Sequence, residues 1–349
     1  MALKTAIIGL GKRMIEDHLP AAVESENFNV LAVCDINSEK VDIISKQYQV
    51  DGFTSLDDML GKTKFDVAIV SVPHNQYASI ILKLAESKVN IIKEKPFATS
   101  TEEALRFHNI VSSNNVFLGV TLQRRFNPIF QAFHQLKKRI GKIYSIEGSY
   151  VMNIAKLDEG WRSSREMAGG GVLVDMGYHL IDLLVWYMGL PTSVTAKLSR
   201  GNRLGQNYDV EDTVNLLFDY SFGKPEEKVV GNFIISRVYP KKDERLTVLG
   251  TKGIINIQRG KIQRLNSDGD EIESLERSGG WFSAAIDQLD YFANIIKGTG
   301  HAGVYDYYEH FQHIAIIEAA YESDRKSSSC SPSDYLVDVS NLKEGEKYE

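Results

Sequence analysis

Five short runs rich in β-branched and other apolar residues, 5–8, 29–34, 67–70, 90–92 and 116–120, punctuate the first third of the chain, and most stop at Gly, Asp, Pro or Lys. Between them lie 14–25, 38–48, 76–87 and 101–113, where apolar positions recur at helical spacing. This alternation is restrictive. Parallel strands need a long crossover to bring the chain back to the same end, so strand, helix, strand in this order predicts a parallel sheet flanked by helices. Ser100 and Thr101 ahead of Glu103 supply a cap for the last of these helices. Beyond Arg125 the pattern changes to one more helix, 128–139, followed by period-two strands at 143–153, 192–198, 213–220, 228–238, 244–249 and 253–258. Gly250-Thr251-Lys252-Gly253 reads as a hairpin turn between two of them, and helices follow at 284–296 and 305–323. The expectation is an α/β chain in two parts. A parallel-sheet domain occupies 1–122, and an α/β domain with a large, mostly antiparallel sheet occupies 123–349.

Composition narrows the partners. With 40 Lys and Arg against 46 Asp and Glu, the net charge of −6 offers no attraction to a phosphate backbone or an anionic membrane, so neither nucleic acid nor membrane is expected as a partner. Cys34 and Cys330 stand near opposite ends and match no metal or redox spacing, which points to a reducing, cytoplasmic setting. The apolar N-terminal stretch is cut short by Lys12 and Arg13 and does not read as an export signal. The most apolar run, 172–190, carries Asp175, His179 and Asp182, so it is expected to be a buried core helix rather than a membrane span.

Three features carry chemistry. Gly9-Leu10-Gly11-Lys12-Arg13-Met14 lies between the first strand and the first helix, where glycines let backbone amides approach a pyrophosphate. Asp35, at the end of the second strand, is placed to accept hydrogen bonds from ribose hydroxyls and would repel a 2′-phosphate, so NAD is favoured over NADP. Met14 replaces the usual third small residue, which predicts either a helix packed slightly farther from the sheet or a cofactor seated differently from the standard arrangement. The second feature, Lys93-Glu94-Lys95-Pro96, follows the fourth strand at the end of the sheet that faces a ligand crevice; its lysines are either ordinary surface charges or reach the cofactor. The third is the run Gly169 to Gly189. Asp175, His179 and Asp182 stand at i, i+4 and i+7, one polar stripe on an otherwise apolar helix. Such a stripe is either an internal hydrogen-bond network or the wall of a cleft that needs an acid–base pair.

In order and spacing these residues resemble the glucose-fructose oxidoreductase, inositol dehydrogenase and rhizopine catabolism (Gfo/Idh/MocA) oxidoreductases. The likeness runs through the Gly-rich turn with His18-Leu19-Pro20-Ala21, then Asp35, Ser71-Val72-Pro73, Glu94-Lys95-Pro96, Gln123-Arg124-Arg125-Phe126, Trp161-Arg162 and Gly169 to Asp182. It implies a Rossmann domain, a second domain whose open sheet forms a homodimer or homotetramer, and a catalytic set of Lys95, Asp175 and His179. Gly9, Gly11, Lys12, Arg13, Met14, Asp35, Ser71, Pro73, Glu94 and Lys95 would hold the dinucleotide. Arg124, Trp161 and Arg162, with Asp175 and His179, would meet the substrate. The chain departs from the family pattern at Met14, at Tyr77 where His is common, and at Gln123 where Asn is frequent.

The reaction expected is hydride transfer between NAD and a secondary alcohol of a sugar or cyclitol, with His179 or Lys95 as the proton acceptor. An NAD-dependent glycosidase of the same fold and a non-catalytic dinucleotide sensor are the alternatives. Arg125, Arg165 and Lys156 are further cations that could meet a carboxylate or phosphate, or else are surface ion-pair partners. No metal is expected: His310 and His313, near Asp306 and Glu309, read as helix-surface residues, and His74, His108, His134 and His301 as surface or loop residues.

Overall fold

The first sheet is built from Leu3–Ile8 (β1), Phe28–Cys34 (β2), Asp51–Phe53 (β3), Val67–Val70 (β4), Asn90–Lys93 (β5) and Leu118–Val120 (β6). All its pairings are parallel and the order is β3-β2-β1-β4-β5-β6 in this computed structural model, which describes residues 1–221, 227–277, 280–300 and 303–337. The crossovers are Leu19–Glu24 (α1), Ser38–Tyr48 (α2), Leu56–Lys62 (α3), Tyr77–Glu86 (α4) and Thr101–Asn114 (α5). Strand order reverses beside β1, between β2 and β4, and that switch opens a crevice at the carboxyl ends of the strands.

The second half contributes Pro128–Gln131 (α6), Phe133–Leu136 (α7), Ile143–Asn153 (β7), Arg165–Ala168 (α8) and Tyr178–Met188 (α9). Its strands continue with Ser193–Ser199 (β8), Thr213–Ser221 (β9), Lys228–Ser236 (β10), Val238–Gly250 (β11), Gly253–Gln258 (β12), Lys261–Leu265 (β13) and Glu271–Glu276 (β14). Trp281–Ile296 (α10) and Glu309–Lys326 (α11) close the chain. The sheet order is β14-β13-β12-β11-β7-β10-β9-β8, antiparallel throughout except where β7 and β10 run parallel.

Two apolar layers hold the halves together. On one face of the first sheet Ala6, Ile8, Ala68 and Ile91 join Ile81 of α4 and Phe107 of α5, and the same cluster continues through Ile181 and Leu184 of α9 to Phe233, Val248 and Ile314. On the other face Ile7, Val33, Ile69 and Ile92 are covered by Leu19 and Ala22 of α1 and by Ala285, Leu289, Phe292 and Ala293 of α10. The late helix α10 thus belongs to the packing of the N-terminal sheet. Arg165–Met188 is, by length and composition, apolar enough to cross a membrane, but 83% of its most apolar window is buried inside the fold.

Several boundaries differ from the sequence reading. The helix expected at 128–139 is broken into α6, α7 and a 3-10 turn at Lys137–Arg139. The single helix expected over 169–189 starts only at a π turn, Leu173–Gly177, before α9. β3 is a three-residue Asp-Gly-Phe segment and β14 an acid-rich exposed edge, so neither shows apolar alternation. The tail is pinned where Cys330 and Val194 exchange backbone hydrogen bonds of 2.9 and 2.8 Å.

Candidate active site

The site begins at the turn after β1. Gly9 takes φ +85°, and a Cβ there would lie 2.2 Å from the Ser71 carbonyl oxygen, so only glycine fits without strain. A Cβ on Gly11 would meet nothing within 4 Å, which leaves open space beside the turn for the phosphates of a dinucleotide. Asp35 braces the turn: its Oδ2 accepts the Leu10 amide at 2.6 Å and its Oδ1 accepts the Asn37 amide at 2.8 Å. Met14 is wholly buried, and the chain enters α1 through a wider π turn, Met14–His18, which accommodates the bulk that the third small residue would have spared. Lys12 turns its side chain to solvent beside Glu16 at 3.8 Å. Arg13 faces the crevice, with its guanidinium bonded to Gln123 and to Asp17. Pro73 precedes the 3-10 turn His74–Gln76, and Ser71 lines the crevice.

Residues from the two halves meet next to that turn. Lys95, two residues beyond β5, donates to the Asp175 carboxylate Oδ1 and to its backbone carbonyl, both at 2.7 Å. Oδ2 of Asp175 takes Arg237 at 2.9 Å and lies 3.3 Å from Arg162. Burial would raise this carboxyl, but Lys95, Arg162 and Arg237 together hold it well below the usual carboxylate range. His179 stands one helical turn on. Burial, then the cations Arg124, Lys95 and Arg13, push its imidazole well below the usual histidine range, so it is neutral at physiological pH. Sequence reasoning missed Arg237, which sits between β10 and β11 and shows no motif around it.

Glu94 and Lys93 take different paths from Lys95. Glu94 accepts from His18 at 2.6 Å and from Thr121 at 2.8 Å; burial opposes its charge, yet His18 and Arg13 hold it well below the usual range. Lys93 is neither a surface charge nor a cleft residue. It is buried, donates to the carbonyls of Pro96 and Phe97, and lies 3.8 Å from the Tyr77 ring centroid; burial lowers it to about 7.

Lys95 and His179 line a cavity of about 350 Å³ together with Arg13, Tyr77, Glu94 and Gln123 from the first half and Tyr150, Trp161, Arg162 and Trp281 from the second. His74 also lines it, its Nδ1 on the Ala168 carbonyl at 2.7 Å and its ring 4.5 Å from that of Trp161. Two departures from the family pattern, Tyr77 and Gln123, are therefore wall residues. Arg124 lines the cavity too, but its charge is met by Glu244 at 2.5 Å.

Other expectations need correction. Arg125 is buried, with its guanidinium on Asp182 at 2.6 Å and on Glu309, because an ion this deep needs carboxylates on both sides. Asp182 accordingly serves Arg125. Lys156 pairs with Glu159 at 2.5 Å in solvent, and Arg165 lies 3.6 Å from Glu211, away from the cavity. His310 and His313 are fully buried rather than on a helix surface: His310 bonds the Tyr178 and Tyr305 hydroxyls at 3.0 Å, and His313 meets Tyr178 at 3.3 Å. His74 and His108 are buried as well, His134 is half-buried, and His301 lies outside the described residues. Among the described residues no group of three His, Cys, Asp or Glu side chains is placed to hold a metal ion.

Two family models match the chain: "Oxidoreductase family, NAD-binding Rossmann fold" over residues 3–122, and "GFO/IDH/MocA C-terminal domain" over residues 135–256. The chain belongs to the Gfo/Idh/MocA oxidoreductases. Within this family the rhizopine catabolism protein MocA of Rhizobium meliloti is 28% identical over 257 residues, spanning 72% of this chain and 76% of its own. A solved oxidoreductase from Agrobacterium radiobacter, in complex with NAD+, L-tartaric acid and magnesium, shares the fold at a TM-score of 0.81 and 18% identity, covering 96% of this chain and all of its own. Levoglucosan dehydrogenase in complex with NADH and levoglucosan superposes at 0.81 with 21% identity over 95% of this chain and 99% of its own. As a Gfo/Idh/MocA protein the chain is an oxidoreductase with an NAD-binding Rossmann domain.

Proposed function

We propose that this Gfo/Idh/MocA protein interconverts a secondary alcohol and a ketone on a sugar, sugar derivative or cyclitol, using NAD. The observation that carries the reading is the 2.7 Å bond between Lys95 and Asp175, which joins an ammonium from the Rossmann sheet to a carboxylate of the second half within one turn of His179. The glycine turn, its open side at Gly11 and the brace from Asp35 fit a dinucleotide held there by the amides of Gly11 and Arg13. Bound NAD would supply the hydride acceptor.

The protein's own groups manage the proton and the charge. Asp175, ionised and clamped by three cations, fixes Lys95 in one orientation without reaching the cavity wall itself. The Lys95 ammonium is then set to stabilise negative charge developing on the substrate oxygen. His179 enters the cavity as a neutral imidazole and accepts the hydroxyl proton at a ring nitrogen. The tests are NADH formation across neutral polyols, sugars and sugar acids, and the variants Lys95→Ala and His179→Ala. Each substitution is expected to lower turnover by about 10²–10⁴-fold while NAD affinity stays within about twofold. Unchanged turnover in both variants overturns the proposal, and release of a free sugar with no net NADH favours the glycosidase chemistry instead. The dinucleotide preference is read from Asp35: NADP is expected to bind far more weakly than NAD, because its 2′-phosphate would face this carboxylate.

A further inference from the structure

The charges lining the cavity are not evenly matched. Asp17 is taken by Arg13 at 2.6 Å, Glu94 by His18 at 2.6 Å, and Lys95 and Arg162 share Asp175. Toward the second sheet, Glu244 of β11 is the carboxylate, and Arg124 engages it through both Nε, at 3.0 Å, and Nη2, at 2.5 Å. Lys242 of β11 and Arg259, just past β12, line the same end of the cavity. Neither makes an ion pair with any carboxylate among the described residues. Three cations therefore gather around one carboxylate.

A chain of ring contacts places this cluster relative to the reacting groups. The His179 and Tyr150 rings lie 6.2 Å apart, Arg124 lies 5.4 Å from the Tyr150 ring and 5.8 Å from that of Trp281, and Arg259 lies 5.3 Å from the same indole. Arg259 is thus at the outer end of the wall that His179 begins. Burial and the neighbouring charge of Arg259 lower Lys242; Glu244 opposes them, and Arg124 adds a further like charge. An anion seated between Lys242 and Arg259 would relieve that repulsion and gain charge-assisted hydrogen bonds.

We propose that Lys242 and Arg259 form an anion subsite, so that the sugar taken by this cavity carries a carboxylate or phosphate group beyond the hydroxyl that reacts. The proposal rests on the dehydrogenase reading for what happens at that hydroxyl, but binding can be measured without turnover. The protein loaded with NADH, which cannot oxidise an added alcohol, would be titrated calorimetrically with gluconate, glucuronate and glucose 6-phosphate, and with glucose and myo-inositol as neutral counterparts. The anionic sugars are expected to bind at least about tenfold more tightly at low salt, with the preference shrinking as sodium chloride is raised. Lys242→Gln/Arg259→Gln should erase the difference. Comparison of gluconate with glucose 6-phosphate tells carboxylate from phosphate. Equal binding of neutral and anionic sugars, or a preference that survives in the double variant, overturns the subsite. If the anions bind through Lys242 and Arg259 and yet no sugar of either class yields NADH, the subsite stands and the dehydrogenase reading falls.

Discussion

Arg237 holds Oδ2 of Asp175 at 2.9 Å from a side chain only 4% exposed, and it is one of three cations that keep this carboxyl ionised. Removing it lets the pKa of Asp175 rise toward the ordinary range, because burial then meets less opposition. In Arg237→Met the acid limb of kcat/KM against pH is therefore expected to move to higher pH, with a several-fold loss confined to acid pH in the ordinary carboxylate range and little at neutral or alkaline pH; a uniform loss at every pH would mean that Arg237 only supports the fold. At this scale the sequence was uneven as a guide. Lys95, Asp175 and His179 stand in recognisable motifs, and the structure brings them together. Arg237, Lys242, Arg259 and Trp281 carry no local pattern; the fold brings the last three to the cavity wall and Arg237 to Asp175 behind it. Of the cations that did stand out, Lys156 pairs with Glu159 three residues on, whereas Arg125 and Arg165 are met by carboxylates far along the chain that no spacing rule reveals.

α9 shows why a stripe on a helix can mislead. Residues three apart on an α-helix differ by about 60° around the axis, so His179 and Asp182 share a sector but not a direction. The border between cavity and core runs through that sector. His179 turns to the cavity, whereas Asp182 turns inward to accept Arg125 at 2.9 Å through Nε and 2.6 Å through Nη2. The Arg125–Asp182–Glu309 group ties the 3-10 turn before α6 to α9 and to the start of α11. Arg125→Met would leave Asp182 buried without its partner, so a loss of about 3–5 kcal/mol in urea unfolding is expected. A loss under about 1 kcal/mol would show that Asp182 finds another donor or stays protonated. The strands and helices of the first half were legible because buried parallel strands are unbroken apolar runs. The edge strands β3 and β14, short or acid-rich, lack that signal.

For the whole molecule the buried histidines govern the response to acid. Burial lowers His74 to about 3 and pushes His310 and His313 well below the usual range. The unfolded chain takes up these protons first, near pH 6.5, so stability is complete above that value and declines as pH falls, by about 1.4 kcal/mol per unit for each histidine. Asp182 and Glu309, raised by burial, bind protons in the folded state and act in the opposite sense as pH falls toward their ordinary range. Urea unfolding is expected to weaken from pH 6.5 to 5; a flat profile there would show that these imidazoles are protonated in the folded protein. Leu289 and Phe292 of α10 seal the far face of the Rossmann sheet, while the other face shares an uninterrupted core with the second half. In a molecule cross-laced in this way, parting the lobes would wet both seams. Small-angle scattering should therefore find the same radius of gyration with and without coenzyme.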